Sequence, residues 1–155
     1  MVFQESRGIF FLKTVAWDPT SDVREATVCY ADASLGELAF WFPEFNLGFQ
    51  CVIPATSDQK VIFYYEALAV TCCMLQDIAH SMPRLIVYTD NQNTVDIWHS
   101  LKASTPNNKL LIMGIDALID YNTNARVLHI PGEDNIVADA LSRFNNELAL
   151  RLVPN

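Results

Sequence analysis

Two short runs, Val28-x-Tyr30-x-Asp32 and Ile86-x-Tyr88-x-Asp90, repeat one pattern: a branched aliphatic, a tyrosine and an aspartate at every second residue. Side chains alternate along a strand, so in each run the three residues share one face, with the Asp at the carboxyl end. If the strands are parallel neighbours, the two Asp residues stand side by side at one sheet edge, about 5 Å apart. That spacing suits a bridging cation, and carboxyl ends of parallel strands are where open α/β sheets place ligands. Taken singly, each Asp serves equally well to start a turn.

The rest of the chain supplies elements around these strands. Strand-like runs near Ala26 to Ala31, Glu37 to Phe42 and Phe49 to Ile53 are separated by Gly36, Pro43, Asn46 and Gly48, which predicts an antiparallel meander. Tyr64 to His80 lacks Gly and Pro and is apolar almost all round from Ala67 to Leu75, as in a helix packed on both sides. A strand over Arg84 to Thr89 follows, then helices over Thr94 to Leu101 and Lys109 to Tyr121, a strand over Arg126 to Ile130, and a last helix from near Asn135. In the second of these helices Leu110, Ile112, Met113, Ile115, Leu118 and Ile119 are expected inward. The order β-β-β-α-β-α-α-β-α predicts an α/β fold: a mixed sheet with an antiparallel and a parallel half, flanked by helices.

With 155 residues, 51% of them hydrophobic, the chain is long enough for one domain with a real core. Residues 23–146 are expected to form it, after a lead-in segment over 1–22 that holds Ile9 to Leu12 and the turn-prone Asp18 to Asp22, and before a tail over 147–155. The longest apolar stretch, Val61 to Leu75, is interrupted by Glu66 and too short to span a bilayer, and no secretory leader is evident. An intracellular protein, cytoplasmic or nuclear, is therefore expected. Cys29, Cys51, Cys72 and Cys73 lack ligand spacing and are read as core residues.

Two further acids stand out. Glu66 sits between Phe63-Tyr64-Tyr65 and Ala67-Leu68-Ala69-Val70, where an unpaired charge is costly to bury. It calls for a cation shared with Asp32 and Asp90, an Arg partner, or a helix-start position facing water. In the last helix Ile136, Ala140 and Phe144 make one apolar stripe, with Val137 and Leu141 beside it. Asn135, Asp139 and Arg143 recur on the polar face, and spacing alone reads Asp139 as the partner of Arg143 at i,i+4.

Together, YADAS at Tyr30 to Ser34, YYEALAV at Tyr64 to Val70, VYTDNQNTV at Val87 to Val95 and HIPGEDNIVADALSR at His129 to Arg143 resemble ribonuclease H domains of retroelement reverse transcriptase polyproteins, of LTR or DIRS-like type. The last segment is the most specific, and the resemblance runs from about Thr27 to Phe144. It implies a ribonuclease H-like fold with a five-stranded mixed sheet. It also implies that Asp32, Glu66, Asp90 and Asp139 bind two Mg²⁺ or Mn²⁺ ions and are the catalytic residues. The implied reaction is hydrolysis of the RNA strand of an RNA/DNA hybrid, leaving a 5′ phosphate and a 3′ hydroxyl. Ser34, Asn91 and Gln92 are the implied contacts to the 2′-hydroxyl that marks RNA, with Asn135 and Arg143 as further substrate-binding positions. The implied partner is a reverse transcriptase domain in the same polyprotein, with no membrane.

The sequence also departs from that pattern. Many relatives carry a loop histidine after the last strand; anchored on Pro131-Gly132, the matching place is Glu133, and His129 falls inside the strand as a hydrogen-bonding end residue. No basic hairpin lies between the two middle helices, where Lys102 and Lys109 are the only cations. The formal charge of −8 opposes nucleic-acid binding, and four units from two divalent cations still leave −4. Weak hybrid binding by the isolated domain follows. Acidity, the missing loop histidine, and Trp17 or Trp41 as exposed aromatics are the features of an alternative, a degenerate domain serving as a non-catalytic interaction or assembly module.

Overall fold

The computed structural model of this chain describes residues 17–20 and 23–154. Its strands are β1 (Ala26–Ala33), β2 (Glu37–Phe42), β3 (Leu47–Val52), β4 (Arg84–Thr89) and β5 (Asn124–His129). They form one sheet in the order β3-β2-β1-β4-β5. β1 and β2, and β2 and β3, pair antiparallel, whereas β1 pairs with β4, and β4 with β5, in parallel. The sheet thus has the expected antiparallel and parallel halves. In the parallel register Val28 faces Ile86 and Tyr30 faces Tyr88, so the two repeated runs lie side by side. Their tyrosine rings stack at 5.1 Å.

Helices cover both faces. α1 (Gln59–Met74), α2 (Gln92–Ser100) and α3 (Asn107–Asp120) pack on the face that carries Cys29, Ala31, Ala33, Leu85, Val87 and Val127. α4 (Ile136–Ser142) and α5 (Asn146–Leu152) pack on the opposite face against Trp41 and Tyr30. Where α1 crosses β1 both elements offer small side chains, with Ala31, Ala33, Ala67 and Ala69 all buried. Small residues at a helix-on-sheet contact let the backbones approach closely, which carries Glu66 toward the end of β1. No helix among the described residues is long and apolar enough to cross a membrane.

The boundaries move for identifiable reasons. α1 starts at Gln59 rather than Tyr64, because the Asp58 side chain accepts from the Lys60 amide at 2.9 Å and caps it. It ends at Met74, and Asp77–His80 is a separate 3-10 turn. There the His80 ring stacks on Tyr121 and bonds the Thr123 hydroxyl and the Met74 carbonyl. α3 turns Leu110, Leu111, Gly114 and Leu118 inward, so Ile112, Met113 and Ile119, expected inside, are exposed. An apolar helix that covers only one side of a sheet has one stripe to bury, and its remaining apolar residues face water.

Other expectations are corrected by packing. Trp17 and Trp41 are buried, not exposed. Trp17 lies against Ala26 and Ile86 with the Arg84 and Arg126 guanidinium groups 5.3 Å and 5.1 Å from its ring, and Trp41 is covered by α4. Cys51 is exposed on the edge strand β3, whereas Cys29 and Cys73 are in the core. Ile136 and Phe144 are exposed, and Phe144 takes a left-handed φ of 54° that ends the helical run. Asn145 then caps α5, whose Ala149 packs on α4, so a helix stands within the expected tail. Ile9 to Leu12 lies outside the described residues.

Gly114 holds the α2–α3 contact together: a Cβ there would stand 2.3 Å from the Trp98 ring and 3.2 Å from the Met74 sulfur. Trp98 is itself buried and has little room to move. Gly114→Ala is expected to lower stability by about 1–3 kcal/mol despite the better helix propensity of alanine, as overpacking does. Thermal denaturation followed by circular dichroism checks this; an unchanged or higher melting temperature would contradict the packing described.

Candidate active site

β1 carries Asp32 inside its paired stretch, opposite Ala39 of β2, which removes the turn-starting reading for this residue. Asp90 stands one residue beyond the end of β4, and Asn91 after it caps α2 by accepting from the Thr94 amide at 2.9 Å. α1 adds Glu66 from the helix layer. One carboxylate oxygen each from Asp32, Glu66 and Asp90 lie within 4.8 Å of one another. Asp32 and Glu66 are buried and Asp90 is half-buried.

Three carboxylates this close and this dry disfavour one another's ionisation. Burial pushes the Glu66 carboxyl up to about 9, with the Asp32 and Asp90 charges adding to the rise and the Ala33 backbone opposing it. Burial likewise raises Asp32 to about 7; a hydrogen bond from Ser142 holds it lower than it would be, and Asp90 and Asp139 push it further up. Asp90 is raised mainly by burial. Glu66 Oε2 is buried with no hydrogen-bond partner, and no described Lys, Arg or His forms a salt bridge with Glu66. Because Asp58 caps α1, Glu66 sits in the interior of that helix, not at its start. Of the three readings left open by the sequence, the water-facing helix start is therefore excluded, and no Arg among the described residues serves as the partner. Hard oxygen donors around an unpartnered buried carboxylate oxygen fit a divalent cation such as Mg²⁺ or Mn²⁺.

Asp139 is not one of the three. It is half-buried on α4, and its Oδ1 accepts from Arg143 Nε at 2.8 Å, the i,i+4 pair that spacing alone predicts. Its charge still acts on both Asp32 and Asp90, so it stands close to the cluster. Asn135 is buried, and its Nδ2 donates to the Ala31 carbonyl at 3.0 Å; it ties α4 to β1 and is not open to a substrate, contrary to expectation. Ser34 Oγ is 2.7 Å from the Ser142 carbonyl and 2.6 Å from Glu37 Oε2, so its hydroxyl is engaged within the protein. Gln92 is exposed and donates to Asp96 at 2.8 Å, whereas Asn91 uses only its carbonyl oxygen, on Thr94. Arg143 is exposed. His129 ends β5 opposite Thr89 and is exposed; no described residue hydrogen-bonds its ring, but its charge acts on Asp90. Glu133 lies in the exposed 3-10 turn before α4.

Two residues were not singled out from sequence. A Cβ on Gly132 would come within 3.0 Å of Asp90 Oδ2, so the Pro131-Gly132 turn lies directly against that carboxylate. Ser142 Oγ reaches Asp32 Oδ2 at 2.5 Å. The signal for Ser142 was available in principle: it follows Asp139 by three residues on α4 and shares its side of the helix.

The family model described as reverse transcriptase-like matches residues 49–145, more than half of the chain. The chain belongs to the reverse transcriptase-like family and has the ribonuclease H fold. It is similar in structure to ribonuclease H1 from the halophilic archaeon Halobacterium salinarum, with a TM-score of 0.61 and 15% identity over 81% of this chain and 98% of that one. It is also similar to LC11 ribonuclease H1, a compost metagenome protein crystallised with an RNA/DNA hybrid. There the TM-score is 0.60, with 19% identity over 79% of this chain and 98% of that one. No curated protein matches the chain by sequence.

The raised carboxylates have a sign that can be tested. A carboxyl whose folded value lies above its unfolded one stabilises the fold at low pH, and that contribution is lost as pH rises through the folded value. For Glu66 the window runs from 4.5 to about 9, and for Asp32 from 3.8 to about 7. In EDTA at pH 8, Glu66→Gln is therefore expected to raise stability by about 1 kcal/mol or more, a gain of about 3 °C in melting temperature. The gain should vanish near pH 4. Thermal melts across that range check it, and a difference that does not depend on pH would contradict the assignment.

Proposed function

We propose that this chain is a metal-dependent endonuclease that hydrolyses the RNA strand of RNA/DNA hybrids, as part of a reverse transcriptase polyprotein. The observation that carries this reading is the trio Asp32, Glu66 and Asp90, within 4.8 Å of one another, with Glu66 Oε2 left without a partner among the described residues. Membership of the reverse transcriptase-like family and the likeness to a ribonuclease H1 crystallised with a hybrid support the substrate class.

Asp32, Glu66 and Asp90 would hold Mg²⁺ or Mn²⁺ directly, and Asp139 would join them once its carboxylate is released from Arg143. Two divalent cations bound there supply activation of the attacking water and stabilisation of the leaving 3′ oxygen. Gly132 leaves room for the Asp90 carboxylate, and the packed backbones of β1, β4 and α1 hold the acids in place before substrate arrives. That preorganisation is what fixed electrostatic catalysis requires. Asn91 and Gln92, beside Asp90 at the start of α2, would meet a 2′-hydroxyl. Arg143, exposed just after the end of α4, would meet a backbone phosphate.

With a formal charge of −8, and only Lys102 and Lys109 around the loop between α2 and α3, the domain has little to hold phosphates by itself. The polymerase domain of the polyprotein would supply that grip. Incubated with a labelled RNA/DNA hybrid, the chain is expected to cut the RNA strand when Mg²⁺ or Mn²⁺ is added. Asp90→Asn is expected to lower the rate at least about a hundredfold, the scale set by losing several kcal/mol of metal stabilisation. No metal-dependent cleavage, or cleavage indifferent to Asp90→Asn, would overturn the proposal.

A further inference from the structure

The contact between Ser142 and Asp32 joins the last turn of α4 to the acidic cluster, and both residues are buried, Ser142 completely. Ser142 Oγ lies 2.5 Å from Asp32 Oδ2 and 2.9 Å from the Asp139 carbonyl. A hydroxyl has one proton, and it goes to the better acceptor. The shorter contact has the length of a charge-assisted O–H···O⁻ bond, so the carboxylate takes it. No other described donor reaches the Asp32 carboxylate through a hydrogen bond, which leaves Oδ1 as the oxygen without a protein partner.

The helix that carries Ser142 is tied to β1 at its other end as well. Asn135 donates to the carbonyl of Ala31, the residue before Asp32. Ser34, two residues after Asp32, lies 2.7 Å from the Ser142 carbonyl, but its one proton goes to the Glu37 carboxylate at 2.6 Å. Asn135 thus fastens the start of α4 to β1, and the Ser142–Asp32 bond fastens its end. Ser142 also sits between Asp139 and Arg143 in sequence, so the same turn sets where the fourth acid stands.

We infer that Ser142 is a positioning residue for the candidate metal site: its hydroxyl occupies Asp32 Oδ2, fixes the rotation of that carboxylate and leaves Oδ1 to a divalent cation. This rests on the metal reading proposed above. Groups that hydrogen-bond a ligating carboxylate act on metal affinity through its orientation, and their loss costs about tenfold to a hundredfold.

The test measures Mn²⁺ binding to the full chain by isothermal titration calorimetry at one pH, with circular dichroism and a melting curve in EDTA as controls for folding. Ser142→Ala is expected to weaken Mn²⁺ binding about tenfold or more. Ser142→Thr keeps the hydroxyl and should restore most of the affinity. In an Asp32→Asn background, Ser142→Ala should cost little further, because the carboxylate it orients is gone. If the single alanine variant folds poorly, Ser142→Thr against wild type carries the test, and an affinity loss of about tenfold in that variant would overturn the role of the hydroxyl. Wild-type binding that is matched by Ser142→Ala, or an equal loss with Ser142→Thr, would overturn the role of Ser142 alone. A wild-type chain that binds no Mn²⁺ would overturn the metal site and the Ser142 role together.

Discussion

Three carboxylates pressed together in a largely dry site repel one another, and the structure around them is arranged to keep them there. Asp32, Glu66 and Asp90 come from β1, α1 and the end of β4, so three separate elements must meet before the cluster exists. The parallel pairing of β1 with β4, with Tyr30 stacked on Tyr88, aligns the two aspartates. Alanines on β1 and α1 bring the helix low enough for Glu66 to reach them. Folding thus opposes a local electrostatic cost with packing spread over the whole core, where each fully buried Val, Leu or Ile contributes about 1.5–3 kcal/mol. A site that costs stability when its acids ionise is one that positive charge would stabilise, and the metal site proposed above rests on that.

α4 plays a different part. It is only seven residues long, too short to be stable by itself, and depends on its contacts with the sheet. Asn135 and Ser142 make those contacts polar and specific, at the residue before Asp32 and at Asp32 itself, while Val137, Ala138 and Ala140 bury its apolar side on Trp41. The helix carries Asp139 and Arg143 as a pair on its exposed side. An exposed ion pair of this kind is worth at most about 1 kcal/mol, so it is a weak restraint that a cation or a phosphate can outcompete. Three acids are set by packed elements, and the fourth is held by an exposed ion pair.

The sequence by itself determined the strands, their alternation and the chemistry gathered at one end. Val28-x-Tyr30-x-Asp32 and Ile86-x-Tyr88-x-Asp90 are local patterns, and a strand's two-residue period leaves only one face for each Asp. The order of elements was legible for the same reason, since turn residues and apolar periodicity act over a few neighbours. Tertiary structure decided what depends on distant partners. α3 is apolar on several sides, and distant partners, among them Trp98 against Gly114, select the side that is buried. Trp17 and Trp41 look like free aromatics until Ile86 and α4 are placed over them. Asn135 carries a polar group that suits a substrate equally well, and the backbone carbonyl it engages, at Ala31, is distant in sequence. The isolation of Glu66 Oε2 is likewise a fact about everything that fails to reach it. A sequence can show that a carboxylate lies in apolar company, but only the folded chain shows that no donor among the described residues reaches Oε2, and the metal site proposed here rests on that unmet demand.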